Sequence, residues 1–250
     1  MVDERFLRTS LLLGEEGLRR LQNSSVMIVG LGAVGGYALE AVARAGVGHL
    51  ILVDFDRFDL TNINRQILAL TSSVGRKKTD VARERVAEIN PACRVETFDM
   101  FVNADTLPQL LNLKVDYVID AIDALNSKCC LIEALCQAGI PFISSMGAAL
   151  RSDPSRVRCG RLSDTKNCSL SKFIRKRLRK RGIDLGKISC VFSDEQISPP
   201  AGAIAESEDA GNESNGRKRA ALGSLPTITA IFGLTAANYV IKALSMAPKA

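Results

Sequence analysis

Between residues 26 and 145, short apolar runs alternate with stretches whose apolar positions recur every three or four residues. VMIVGLG, HLILVD, CRVETFD, VDYVIDAID and PFISSMG read as strands. Between them, AVGGYALEAVARAG reads as a helix closed by Gly46, and GRKKTDVARERVAEIN as a helix ended by Pro91. DTLPQLLNL adds a short helix and SKCCLIEALCQAG a longer one. Strands separated by helices predict an α/β, doubly wound and mostly parallel sheet with helices on both faces.

After about residue 150 the pattern changes. SRVRCGRL and ISCVFSDE read as strands flanking a basic helix, LSKFIRKRLRKRG, and predict an antiparallel extension. Polar, turn-rich sequence then predicts a long mobile loop over 198–222. The closing segment, LPTITAIFGLTAANYVIKALS, lies mostly within a stretch free of charge over 220–241, long enough to span a bilayer. Gly223, Pro226, Gly233 and Asn238 favour instead a terminal helix buried on the far side of the sheet. The expected organisation is one domain over 1–250, with a core at 5–150 and an extension at 151–250.

Composition narrows the functional classes. The lack of Trp and a 5% aromatic content argue against a stacking surface for single-stranded nucleic acid. The net charge of +6 is small, so its distribution matters more than its size. Seven cysteines form no Cys-x-x-Cys pair, which speaks against structural zinc and for buried thiols in a reducing cytosol. MVDERFLRTS is charged throughout and does not read as a secretory signal, so a cytoplasmic location is expected. The one histidine, His49, stands at a strand edge, which leaves no histidine triad or histidine metal site.

GLGAVG places Gly30, Gly32 and Gly35 between a strand and a helix, a Rossmann-like nucleotide-binding arrangement. Gly30 permits the tight turn, Gly32 lets phosphate approach the backbone, and Gly35 lets helix and strand pack closely. Asp54 ends the next strand, where an acidic residue holds ribose hydroxyls. A nicotinamide enzyme needs that one acidic residue, yet Asp56, Asn62, Arg65, Gln66 and Lys78 follow closely. Cationic Arg65 and Lys78 suit a triphosphate whose charge must be neutralised as it breaks. Asp123, at the carboxyl end of a later strand, is an oxygen donor of the kind Mg²⁺ prefers.

RFLR, VMIVGLGAVGG, LVDFD, TNINRQ, GRKKTDVA and DAID, in that order, resemble the ubiquitin-activating-type adenylyltransferases over residues 5–123. That resemblance implies ATP and Mg²⁺ as cofactors and a doubly wound ATP-binding fold. It implies that Gly32 belongs to the phosphate turn and Asp54 is the ribose ligand. Asn62, Arg65 and Lys78 become contacts to the triphosphate and transition state, and Asp123 the magnesium ligand. Arg8 becomes an arm residue that reaches across a homodimer into the partner's site. Such enzymes attack the α-phosphate of ATP with a carboxylate, making an acyl-adenylate whose AMP leaves readily.

RTSLLLGEEGL, NINRQI, INPACRV, DYVIDAID and CVFSDE more closely resemble the tRNA threonylcarbamoyladenosine dehydratases, over nearly the whole chain. The resemblance implies a tRNA substrate whose threonylcarbamoyl carboxylate is adenylated and then captured intramolecularly. KRAALGSLPTIT has no cysteine where some members carry one, so direct capture is the simpler expectation, and Cys190 reads as a buried strand residue. Leu170, Phe173, Ile174 and Leu178 fall on one side of the basic helix, which would turn Lys172, Arg175, Lys176, Arg179 and Lys180 outward toward the tRNA backbone. RKR at 217–219 adds positive charge. A monovalent cation in the long loop and an assisting cysteine desulfurase or sulfur-acceptor system stay open. The alternatives are an activator of a small carrier protein, a nicotinamide oxidoreductase and a non-catalytic tRNA-binding protein.

Overall fold

The computed structural model describes residues 2–197, 204–205 and 221–246. The loop expected at 198–222, with its RKR cluster and the cation reading attached to it, lies largely outside the described residues. Seven strands form one sheet in the order β3-β2-β1-β4-β5-β7-β6. These are β1 (Ser25–Val29), β2 (His49–Val53), β3 (Arg94–Phe98), β4 (Tyr117–Asp120), β5 (Phe142–Ser145), β6 (Val157–Arg161) and β7 (Ser189–Ser193). All pairings are parallel except β6 with β7. The order grows outward in one direction from β1 to β3 and in the other from β4, so the strand order reverses between β1 and β4. In open sheets of this kind the crevice at that reversal is where ligands bind.

The helices are α1 (Leu7–Gln22), α2 (Gly35–Ala45), α3 (Lys78–Ile89), α4 (Leu107–Leu111), α5 (Leu125–Ala138), α6 (Ser169–Lys180) and α7 (Pro226–Ser245). α2 ends at Gly46 in the left-handed conformation, as its sequence predicts. α1 is an addition to the expected elements. It kinks at Gly14, and it leaves Leu11 and Leu12 77% and 83% exposed, so its apolar residues trace no single buried stripe.

α7 is long and apolar enough to cross a membrane. Here it lies on α2, with Phe232, Ala236, Ala237 and Val240 in the main core beside Ile28, Leu39 and Ile119. Gly233 makes the approach feasible, because a Cβ there would stand 2.3 Å from the Val34 carbonyl oxygen. Tyr239 hydrogen-bonds Ser189 of β7 at 2.9 Å, tying the helix to the sheet extension. This is the packing expected of the buried-helix alternative.

Candidate active site

The glycine turn between β1 and α2 has the backbone geometry its sequence predicts. Gly30 has φ 92° and donates its amide to the Val53 carbonyl at 2.8 Å. A Cβ on Gly35 would lie 1.7 Å from the Gly30 carbonyl oxygen, so only glycine lets α2 start this close to the strand. At Gly32 the nearest atom to a Cβ is Gln66 Nε2, 3.9 Å away, which leaves open space above the turn. α2 begins at Gly35, directly after the turn, so the positive end of its dipole lies beside that space.

Asp54, immediately after β2, is buried and fastens the turn: its Oδ2 accepts the Leu31 amide at 2.6 Å and its Oδ1 the Asp56 amide at 2.8 Å. Burial holds its pKa above the ordinary aspartate value, against the opposing pull of Lys78 and the two amides. Lys78, the first residue of α3, is also buried, and its Nζ lies 3.0 Å from Asp56 Oδ2. The intervening segment doubles back through a short 3₁₀ turn, Leu60–Asn62, in which Asn62 Oδ1 caps the Asp59 amide at 3.2 Å. Arg65 Nη1 donates to the Thr61 carbonyl at 2.8 Å and to Asn64 Oδ1 at 3.0 Å. Gln66 is only 6% exposed, and its Oε1 has no hydrogen-bond partner among the described residues. A buried amide oxygen left so is costly.

Gly30, Gly32, Gly35, Asp54, Asp56, Gln66 and Lys78 therefore meet at the carboxyl ends of β1 and β2. Asp123 is exposed on the loop leaving β4, next to the turn, since a Cβ on Gly30 would come 2.9 Å from the Ala121 carbonyl oxygen. No cluster of three or more His, Cys, Asp or Glu able to hold a metal exists among the described residues. Arg8 is not brought to this site. It is exposed near the start of α1, and Phe6 beside it packs on Gly46, at the far end of α2 from the turn. At 1.5 Å per residue that separation is about 16 Å.

Two features of the basic helix correct the expectation. Arg175 turns inward, its Nη1 donating to the Thr165 carbonyl at 2.7 Å, to the Thr165 hydroxyl and to Ser171 Oγ at 3.2 Å. Phe173, placed on the apolar side by its spacing, is 53% exposed, because the pocket under α6 is filled by Ile174 and Leu178. Lys172, Lys176, Arg179 and Lys180 are exposed. Arg177 and Arg181 reach across to Asn126 and Glu133 of α5, locking α6 beside the helix that leaves the site.

The cysteines differ too. All seven are free, but Cys159 is exposed, so the uniformly buried thiols are not what is found. Cys190 is buried as expected, and burial pushes its pKa up to about 12, so it is a neutral thiol at physiological pH. His49 bridges Ser25 Oγ and Glu96 Oε1, both at 2.9 Å, at the opposite end of β2 from Asp54. Sequence reasoning also passed over Lys128 and Asp120, a fully buried ion pair under the Asp123 loop. Only a lysine inside the apolar SKCCLIEAL stretch hinted at it.

Fold and site together define a nucleotide-binding enzyme of the ThiF class: the ThiF family matches residues 5–250, and the chain belongs to that family. Within it the similarity is to the tRNA threonylcarbamoyladenosine dehydratases. The Bacillus subtilis protein of that name is 45% identical over 190 residues, covering 76% of this chain and 74% of the relative. The Escherichia coli protein is 35% identical over 256 residues, covering 96% and 92%. The crystal structure of the Escherichia coli dehydratase in complex with ATP matches with a TM-score of 0.85 at 34% identity, over 96% of this chain and 93% of that one. Its complex with AMP matches with the same TM-score.

Proposed function

We infer that this protein is an ATP-dependent tRNA threonylcarbamoyladenosine dehydratase. The observation that carries the reading is the convergence of the glycine turn, Asp54, Gln66 and Lys78 on one sheet edge. The chain's likeness to the dehydratases supports it, because it runs through β6, α6, β7 and α7 rather than stopping at the nucleotide core.

In the reaction, an oxygen of the threonyl carboxylate attacks the α-phosphorus of ATP. The bond to the bridging oxygen breaks and pyrophosphate leaves, giving an acyl-adenylate. A nucleophile of the substrate's own ureido group then attacks the acyl carbon, loses a proton and expels AMP. One water's worth of atoms has left the nucleoside, with its oxygen now in AMP. The protein's task is positioning and charge neutralisation. The turn amides and the start of α2 receive phosphate, Asp54 the ribose, and Arg65, Lys78 and Asn62 the charge that builds on the departing pyrophosphate. Cys190 is protonated and buried, which supports capture without a protein thioester.

Asp123 is a hard oxygen donor that would hold Mg²⁺ together with phosphate oxygens and water; the bound ion would supply charge neutralisation. The protein acts as a homodimer in which Arg8 serves the partner's site. Its exposure at the far end of α2 supports this, as do Leu7, Leu11 and Leu12 exposed on the same helix. The chain is one adenylation domain in the cytoplasm, with residues 151–250 as the extension that holds tRNA through Lys172, Lys176, Arg179 and Lys180.

The test is mass spectrometry of nucleosides after incubating threonylcarbamoyl-modified tRNA with the protein, ATP and Mg²⁺, using mild hydrolysis. The expected result is an ATP-dependent loss of one water from the modified nucleoside. An unchanged nucleoside, with pyrophosphate exchange appearing only on addition of a small carrier protein, would transfer the assignment to carrier activation.

A further inference from the structure

Beneath the loop that carries Asp123 lies an ion pair sealed from solvent. Asp120 ends β4, Lys128 stands in the first turn of α5, and both side chains are 0% exposed. Lys128 Nζ lies 2.8 Å from Asp120 Oδ2 and donates to the Ile122 carbonyl at 2.8 Å. Ser144 Oγ, from β5, donates to the same carboxylate oxygen at 2.6 Å. The Ile122 amide donates to Asp120 Oδ1 at 3.1 Å, and the Ala121 amide to the Val29 carbonyl at 2.8 Å. The peptide leaving β4 is thus held at both polar groups of Ile122 and at Ala121, immediately before Asp123.

Stability does not account for this arrangement. A buried ion pair is commonly no better than apolar residues of the same shape, because desolvation offsets the attraction. The lysine also sits near the N-terminus of α5, where the helix dipole disfavours a cation. What the pair does provide is direction. The loop it holds abuts the phosphate turn, with the Ala121 carbonyl 2.9 Å from where a Gly30 Cβ would stand. A shift of that loop moves Asp123 and one wall of the turn together.

We propose that Lys128, set by Asp120 and Ser144, is a positioning residue for nucleotide activation, holding the 121–123 loop where Asp123 meets the triphosphate. Lys128 touches no ligand itself. The proposal rests on Asp123 being the metal-side carboxylate, as read above.

The experiment compares the full-length protein with the near-isosteric double variant Asp120→Asn/Lys128→Met, with Ser144→Ala and with Asp123→Asn. Four properties are measured: thermal midpoint, tRNA dehydration, the Mg²⁺ needed for half-maximal ATP binding by calorimetry, and tRNA affinity from binding isotherms. The double variant is expected to keep its midpoint, to lose about tenfold or more in turnover, and to need about tenfold more Mg²⁺, with tRNA affinity unchanged. Ser144→Ala keeps every charge and the fold. It is expected to move turnover and Mg²⁺ requirement the same way by about threefold, so the proposal stays testable if the double variant does not fold. Parental turnover and Mg²⁺ requirement in a folded double variant, or in Ser144→Ala, would overturn the role of Lys128. If Asp123→Asn itself keeps the parental Mg²⁺ requirement, the reading of Asp123 fails and the positioning role falls with it. A shift in Asp123→Asn alone overturns only the latter.

Discussion

A methyl group added at two glycines three residues apart should have opposite effects. On Gly35 it would meet the Gly30 carbonyl oxygen at 1.7 Å, and no flexible side chain is there to give way. Gly35→Ala is expected to destabilise the fold by about 3 kcal/mol or more, read as a lowered denaturation midpoint. On Gly32 the methyl meets nothing closer than 3.9 Å, so Gly32→Ala should unfold with the parent. It occupies the space a phosphate would enter, and ATP affinity by calorimetry should fall about tenfold. The tight approach at Gly35 and the open space at Gly32 were legible beforehand because a glycine's effect is local, set by backbone angles and by what approaches it. Lys128 was not legible: its partners Asp120 and Ser144 lie on two separate strands, and only packing brings the three together.

At the scale of elements, α6 shows where helical periodicity stops being informative. Spacing alone put Phe173 with Ile174 and Leu178, but α5 and the sheet extension cover only part of that arc, and Phe173 is left outside. Periodicity also counted Arg175 among the outward cations, although the turn at Leu162–Asp164 leaves the Thr165 carbonyl for it to satisfy. The two kinds of arginine and lysine should therefore separate experimentally. Charge reversal at Lys176, Arg179 and Lys180 should weaken tRNA binding and flatten its salt dependence by about one unit of slope per lost phosphate contact, with unfolding unchanged. Arg175→Ala should do the reverse, lowering stability by about 1–3 kcal/mol as buried acceptors lose their donor, with the salt slope intact. Binding isotherms at several salt concentrations, set beside denaturant titrations, check both. The apolar character of α7 has a similar lesson. Its composition fits a bilayer or a core equally, and Gly233 against Val34 is the contact that places it on α2.

For the whole molecule, the strand order puts the carboxyl ends of β1 and β4 side by side, and so sets the Asp123 loop against the glycine turn although ninety residues separate them in sequence. Arg8 is the residue this arrangement leaves out. If it serves a partner's site, Arg8→Ala and Lys78→Ala are each inactive alone. Mixing the two after reversible dissociation should restore about a quarter of parental dehydration activity, since half the dimers are mixed and each then has one intact site. No recovery, with mixed dimers verified by mass, would mean that Arg8 acts within its own protomer.

The chain by itself determined the class of fold, the glycine turn and the polar run that follows β2. Each depends on periodicity, a glycine's backbone freedom or the order of residues along one strand-turn-helix unit, all of them short-range properties. Tertiary structure alone decided which cations of α6 face outward, that α1 buries Leu18 and Leu21 but exposes Leu7, Leu11 and Leu12, and that Asp120, Ser144 and Lys128 close under the Asp123 loop. Those outcomes depend on which surfaces neighbouring elements cover, and on where the sheet brings distant polar groups within hydrogen-bond reach.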